Sequence, residues 1–397
     1  MISKTMSRLA GNNSAIRAMF EEGNRLAALY GRENVYDFSL GNPNFPAPDA
    51  VKDAAVEILE TVDPMSLHGY MSNSGYEFVR KAIADNLNER FGTAFTEKNI
   101  IMTVGAAGGL NVILKTILDP GDEVLTFAPY FLEYGNYVAN FGGVIKAVAP
   151  NTETFQPNLE AFREMISPLT KAVIINTPNN PTGVVYSDET LTKLADIMRE
   201  KQAEYGHEIY IISDEPYREL AYEGVEVPYV TKYYDNTFIG YSWSKSLSLP
   251  GERIGYVVIP SEMADFQTTF DAATIANRVL GFVNAPSLQQ RIVAKCLSEK
   301  TDLSGYDDNR RTLYNGLTER GFECVFPQGA FYLWMKTPVD DREFVQAAKE
   351  YNILIVPGSS FACPGYVRIA YCVAKSTIVN SMDGFGKLAE KYGLKKV

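Results

Sequence analysis

Between residues 100 and 260 the chain alternates short apolar, β-rich runs with segments of helical period. The runs are IIMTVG (100–105), DEVLTFAP (122–129), GVIKAVA (143–149), KAVIINTP (171–178), EIYIISDEPY (208–217), TFIGYSWS (237–244) and RIGYVVIP (253–260). Such nearly continuous apolar character predicts strands covered on both faces. In the intervening segment SDETLTKLADIMREKQAEYG, Leu191, Leu194, Ile197 and Met198 share one helical face. Strands alternating with such helices predict an α/β domain, with a mostly parallel seven-stranded sheet between helices.

The two ends differ in pattern. A helical arm, SAIRAMFEEGNRLAALYG (14–31), leads into the loop SLGNPNFPAPDA (39–50), where prolines and a glycine break any regular element. After residue 286 come two helical stretches, then ECVFPQGAFYLWMK, NILIVPGSSF and GYVRIAYCV, which read as strands of a second sheet, and a final helix. The expectation is a large domain over 46–285 and a smaller α+β domain made of 1–45 and 286–397.

Composition narrows the function classes. Charge is −11, from 37 basic and 48 acidic residues, with no basic cluster to follow a phosphate backbone, so nucleic acid is not an expected partner. No apolar run is long enough for a membrane span, and the N-terminus lacks the basic and apolar regions of a secretory signal, so a cytoplasmic protein is expected. Cys296, Cys324, Cys363 and Cys372 lack metal-site spacing and read as free thiols; no metal is expected. Only His68 and His207 could supply imidazole chemistry.

Open α/β sheets bind ligands beyond the carboxyl ends of their strands, so those ends are read as a set. Gly105-Ala106-Ala107-Gly108-Gly109 follows the first run and opens a helix, which leaves backbone N–H groups for an anion; the same residues also suit a plain tight turn. Asn179-Asn180-Pro181-Thr182-Gly183 and Asp214-Glu215-Pro216-Tyr217 close the next two ends considered, as turns that bring an amide, a carboxylate and a phenol. Then comes YSWSKSLSLPGERIGY (241–256), with Lys245 where a strand should end inside the protein and Arg253 eight positions on. An amine, a carboxylate and phosphate donors together match the needs of pyridoxal phosphate: a Schiff-base lysine, a partner for the ring nitrogen and an anion nest.

SxSKxxxxPGxRxGY around Lys245, NNPTG at Asn180, SDEPY at Asp214 and VRIA at Arg368 resemble, in order and spacing, the motifs of class I/II aminotransferases, pyridoxal-phosphate enzymes of fold type I. The resemblance runs from about Gly41 to Arg368. It implies that Lys245 forms the Schiff base and shuttles the proton, that Asp214 faces the pyridine nitrogen, and that Tyr217 and Asn180 meet the 3′-oxygen. It further implies that Phe131, in PYFLEY, stacks on the ring, while Arg253, Ser242 and the amides near Ala106 and Ala107 hold the phosphate. Arg368 grips the substrate α-carboxylate, a role that suits a planar fork, with Asn180 and the backbone at Gly41 nearby. Tyr70 resembles a tyrosine lent to the neighbouring subunit's phosphate site, which implies a homodimer with active sites at the subunit interface.

Ser242-Trp243-Ser244-Lys245 fits the S-x-x-K pattern of serine acyl enzymes, but Ser213-Asp214-Glu215 precedes the lysine and Lys336-Thr337-Pro338 has proline in place of glycine. A carbon–sulfur β-lyase would keep the cofactor and change the reaction; Gly251-Glu252-Arg253 resembles the transaminases more closely. For substrate, aspartate with 2-oxoglutarate is the first expectation, with Arg278 near the place of a distal-carboxylate cation, and alanine or aromatic amino acids are the alternatives.

Overall fold

The computed structural model describes residues 2–11 and 15–395; residue 14, the first of the expected arm, lies outside them. The chain packs as two compact units. The larger comprises Phe45–Asn179 and Val184–Asp302; the smaller comprises Met1–Asn44, Asn180–Gly183 and Leu303–Val397.

Each of the seven apolar runs supplies one strand of the larger unit's sheet, in the spatial order Ile100–Thr103, Gly255–Val258, Thr237–Ser242, Tyr210–Asp214, Thr170–Asn176, Glu123–Phe127 and Val144–Val148. All pairings are parallel except the two made by Gly255–Val258. Val173 and Ile175 bury on one face of the sheet and Ala172 and Ile174 in a separate cluster on the other, which is why the run is apolar at every position. The edge strand Val144–Val148 is covered less completely, and its lysine reaches Glu123.

The helix Asp188–Tyr205 starts where Ser187 Oγ accepts the Thr190 N–H at 3.1 Å and stops at Gly206, whose φ of 72° ends the helix without strain. Its expected apolar face is buried: Leu191, Leu194, Ile197 and Met198 all join one core. The larger unit continues past residue 285 because the helix Ser287–Lys295 places Ile292 and Val293 in that same core. The chain enters the smaller unit only at Leu303.

In the smaller unit an antiparallel sheet runs in the order Val356–Pro357, Tyr366–Ala370, Tyr332–Lys336 and Cys324–Val325. A parallel pair, Tyr36–Asp37 with Ile353–Leu354, lies apart from it. The helices Ala15–Tyr30, Ser304–Thr318, Asp341–Lys349 and Lys375–Lys391 complete the unit. No helix among the described residues is long and apolar enough to cross a membrane.

Candidate active site

Parallel register brings strand ends of distant sequence side by side. In the larger unit Asn176 pairs with Asp214 and Asp214 with Gly240, two residues before Ser242; Ser242 in turn pairs with Gly255, two residues after Arg253. Lys245 follows directly, half-buried in the short helical turn Trp243–Ser246. Expected site residues separated by up to forty positions are therefore neighbours at one edge of the sheet.

Asp214 is 6% exposed. Its Oδ2 accepts a 2.6 Å hydrogen bond from Tyr134 Oη, while Oδ1 is buried without any partner. Burial pushes this carboxyl up to about 7, with the Tyr134 hydrogen bond opposing the rise and the neighbouring Glu215 adding to it. An orphaned carboxylate oxygen is expensive, and its place at a strand end points to a donor supplied by a ligand. Tyr217 lies in the turn that follows and is also buried.

The helix Gly105–Ile117 begins without a side-chain cap, so its first-turn amides, at Ala106 and Ala107, remain available to an anion. Gly105 has φ +68°, and a Cβ there would stand 2.7 Å from Arg253 Nη2. Glycine is thus required twice over: by the backbone and by the approach of the guanidinium. Arg253 also has a positive φ, of 52°, is exposed, and donates from Nη1 to the Pro250 carbonyl at 3.0 Å. Ser242 is buried, with its Oγ 3.2 Å from Ser244 Oγ. Phe131 meets Tyr134 edge to face, with centroids 5.7 Å apart at 88°.

The smaller unit assembles a second cluster. Arg368 is 2% exposed, its Nη1 donates to Asn180 Oδ1 at 3.1 Å, and its Nη2 donates to the Ser39 carbonyl at 2.5 Å. Its guanidinium carbon lies over the ring of Tyr332, 4.5 Å from the centroid, and over that of Phe361, at 5.0 Å. Tyr332 comes to this place by strand pairing, since Trp334 lies opposite Arg368 and residues two apart share a face. Arg368 Nε is buried without a partner, so one donor of the guanidinium is still unmet. Gly41 packs directly on the Tyr332 hydroxyl, and a Cβ there would overlap it and lie 2.7 Å from Cζ.

Two further expected residues are exposed. Tyr70 is 93% exposed, and Arg278 is exposed in the last turn of the helix Phe266–Val279. Conversely, Tyr134, Ser39, Tyr332 and Phe361 enter the clusters unforeseen. Only Tyr134 had a sequence signal, its spacing of three from Phe131 that sets both on one side of a helical turn.

A lysine, an orphaned carboxylate and an uncapped helix beside an arginine, at the carboxyl edge of a mostly parallel sheet, are the groups that a phosphorylated pyridine cofactor requires. A family model described as aminotransferase class I and II matches residues 33–382, and the chain belongs to that family. It is 32% identical over 356 residues to the aspartate/prephenate aminotransferase of Thermus thermophilus, covering 88% of this chain and 90% of that one. An aminotransferase structure from Eubacterium rectale superposes with a TM-score of 0.97 at 47% identity, covering 99% of both chains. The Thermus thermophilus aspartate aminotransferase solved with maleate gives 0.85 at 29% identity, over 98% of this chain and 100% of that one. The protein is a transaminase of fold type I with pyridoxal 5′-phosphate as its cofactor, acting on amino acids and 2-oxo acids.

Proposed function

We propose that the enzyme moves the amino group of aspartate to 2-oxoglutarate, with Lys245 as its catalytic base. The observation that carries the site assignment is the buried, unpartnered Asp214 Oδ1, a group that pairs with a protonated pyridine nitrogen. Pyridoxal phosphate, when bound, supplies a ring that withdraws electrons from the substrate Cα. Lys245 Nζ anchors the cofactor and carries the Cα proton. Tyr217 and Asn180 hold the ring's oxygen, and Phe131 covers the ring face. The first-turn amides at Ala106 and Ala107, Ser242 and Arg253 bind the phosphate. Arg368 takes the α-carboxylate as a fork already held by its hydrogen bonds to Asn180 and Ser39, with the backbone at Gly41 beside it.

The named specificity of the Thermus thermophilus relative, and the maleate bound by its structure, support a dicarboxylate substrate. The exposure of Tyr70 supports its reaching into the site of a second copy of the chain, in a homodimer. All four cysteines are free, which suits the reducing cytoplasm. The test offers a panel of amino donors with 2-oxoglutarate and follows conversion of the bound cofactor by its visible absorption. Aspartate should convert it, and Lys245→Ala should abolish turnover. Conversion by alanine or phenylalanine, with none by aspartate or glutamate, overturns the dicarboxylate assignment; full turnover by Lys245→Ala overturns the assignment of the base.

A further inference from the structure

Behind the turn that carries Lys245, the larger unit buries a set of charges. Arg218 is 4% exposed and Glu215 1%. Arg218 Nη1 donates to Glu215 Oε2 at 2.9 Å, Nη2 to Tyr256 Oη at 2.9 Å, and Nε to Glu219 Oε1 at 3.3 Å. The guanidinium carbon lies 4.3 Å from the ring centroid of Tyr241, 5.2 Å from that of Phe91 and 5.5 Å from that of Tyr229. Glu219 also receives Arg90 at 2.6 Å, and Glu215 receives Ser213 Oγ at 2.8 Å. Two cations thus face two carboxylates.

Burying such a cluster costs desolvation that apolar side chains of the same volume would not, so net stability is a poor reason for it. What a guanidinium offers instead is fixed direction. Three of its partners, Glu215, Tyr241 and Tyr256, each adjoin a different piece of the cofactor site. Glu215 directly follows Asp214 and precedes Tyr217. Tyr241 precedes Ser242, and its hydroxyl lies 2.7 Å from the Oγ of Ser246, next to Lys245. Tyr256 lies on the strand that begins two residues after Arg253, in register with Tyr241.

We propose that Arg218 is a positioning residue for the cofactor site, locking together the three segments that present Asp214 and Tyr217, Ser242 and Lys245, and Arg253. The inference rests on the assignment of those residues to the cofactor. A cavity of about 230 Å³ runs against the same groups, lined by Arg218, Tyr241, Ser246 and Tyr256, with the exposed Glu89 and Lys300 at its rim. It gives a small solute a path to the place the guanidinium occupies.

The experiment is chemical rescue of Arg218→Ala. Apoprotein is titrated with pyridoxal phosphate to obtain its affinity, and the bound cofactor's visible absorption is followed against pH. The expected result is an affinity loss of roughly ten- to a hundredfold, the scale seen when groups supporting metal ligands are removed, with a shifted absorption midpoint. Millimolar guanidinium should restore both, equal concentrations of tetramethylammonium should not, and Arg218→Lys should fall between. A folded Arg218→Ala apoprotein with wild-type affinity and midpoint overturns the proposal, as does a loss that neither guanidinium nor lysine repairs. Should Arg218→Ala fail to fold, Tyr241→Phe keeps the ring over Arg218 and removes only the link to Ser246. A shifted midpoint then supports the proposal, and an unchanged one overturns it. Failure of the wild-type apoprotein itself to bind pyridoxal phosphate would refute the underlying cofactor assignment, and is read separately.

Discussion

Tyr134 donates a 2.6 Å hydrogen bond to Asp214 with both side chains buried, so a neutral phenol holds one oxygen of the carboxylate and leaves the other without a partner. The phenol stays a donor at any working pH, because burial and the Asp214 charge push its own ionisation well above the ordinary tyrosine value. The bond favours the charged carboxylate, the form that pairs with a protonated ring nitrogen.

Tyr134→Phe keeps the edge-on contact with Phe131 and removes that bond. Asp214 then becomes harder to ionise. The acid limb of kcat/KM should move to higher pH by roughly one to two units, since a hydrogen bond to a charged group contributes about 1.5–3 kcal/mol and a unit corresponds to about 1.36. An unmoved limb would show that Tyr134 only fills space.

Stability of the cofactor-free protein should respond to the same group. Asp214 rises from 3.8 to about 7 on folding, so between those values the folded state holds a proton that the unfolded state releases. Stability therefore falls as pH rises through that window, by an amount on the order of 4 kcal/mol. Asp214→Asn cannot ionise, so wild type and variant apoproteins should melt alike near the acid end of the window, and wild type should melt lower above its upper end. Saturating pyridoxal phosphate should remove the difference through its pairing with the charged form. A melting difference independent of pH would contradict the raised ionisation.

The strands were legible because all but the edge strand Val144–Val148 are largely buried and so nearly continuously apolar, and the motifs at their ends stood out by their residues and order, which resemble those of the family. Tyr134 and Tyr332 were not legible as partners of Asp214 and Arg368. Their roles depend on which side chains packing brings within reach, across 80 residues in the first case. Tyr332 sits in an apolar strand, FYLWM, where an aromatic is expected for burial, and nothing in that string marks which ring meets the Arg368 guanidinium. Arg218 was hidden in the same way, next to a motif whose acidic neighbour drew the reading.

Gly41 and Tyr332 should behave as a coupled pair. A Cβ at position 41 overlaps the Tyr332 hydroxyl, so Gly41→Ala must displace the ring that stacks on the Arg368 guanidinium. The Michaelis constant for the amino acid should rise about tenfold, while the cofactor's absorption stays unchanged. Tyr332→Phe combined with Gly41→Ala should recover only part of the loss, because Cζ remains 2.7 Å from the added methyl. The double-mutant cycle should therefore give a coupling of about 1 kcal/mol, against none for independent sites.

Tyr70 tests the dimer directly. A tyrosine 93% exposed in one chain is free to reach a site on another copy. Subunits carrying Lys245→Ala keep Tyr70, and subunits carrying Tyr70→Ala keep Lys245. Each pure population should be weak or inactive. If Tyr70 completes the neighbour's site, a mixed dimer rebuilds one full site from the Lys245 of one subunit and the Tyr70 of the other. Random reassociation of equal amounts makes half the dimers mixed, so activity should return to about a quarter of wild type. If Tyr70 acts within its own subunit, every site in the mixture lacks one of the two residues and mixing restores nothing. Unfolding and refolding the two populations together, then comparing turnover with that of each alone, separates these outcomes.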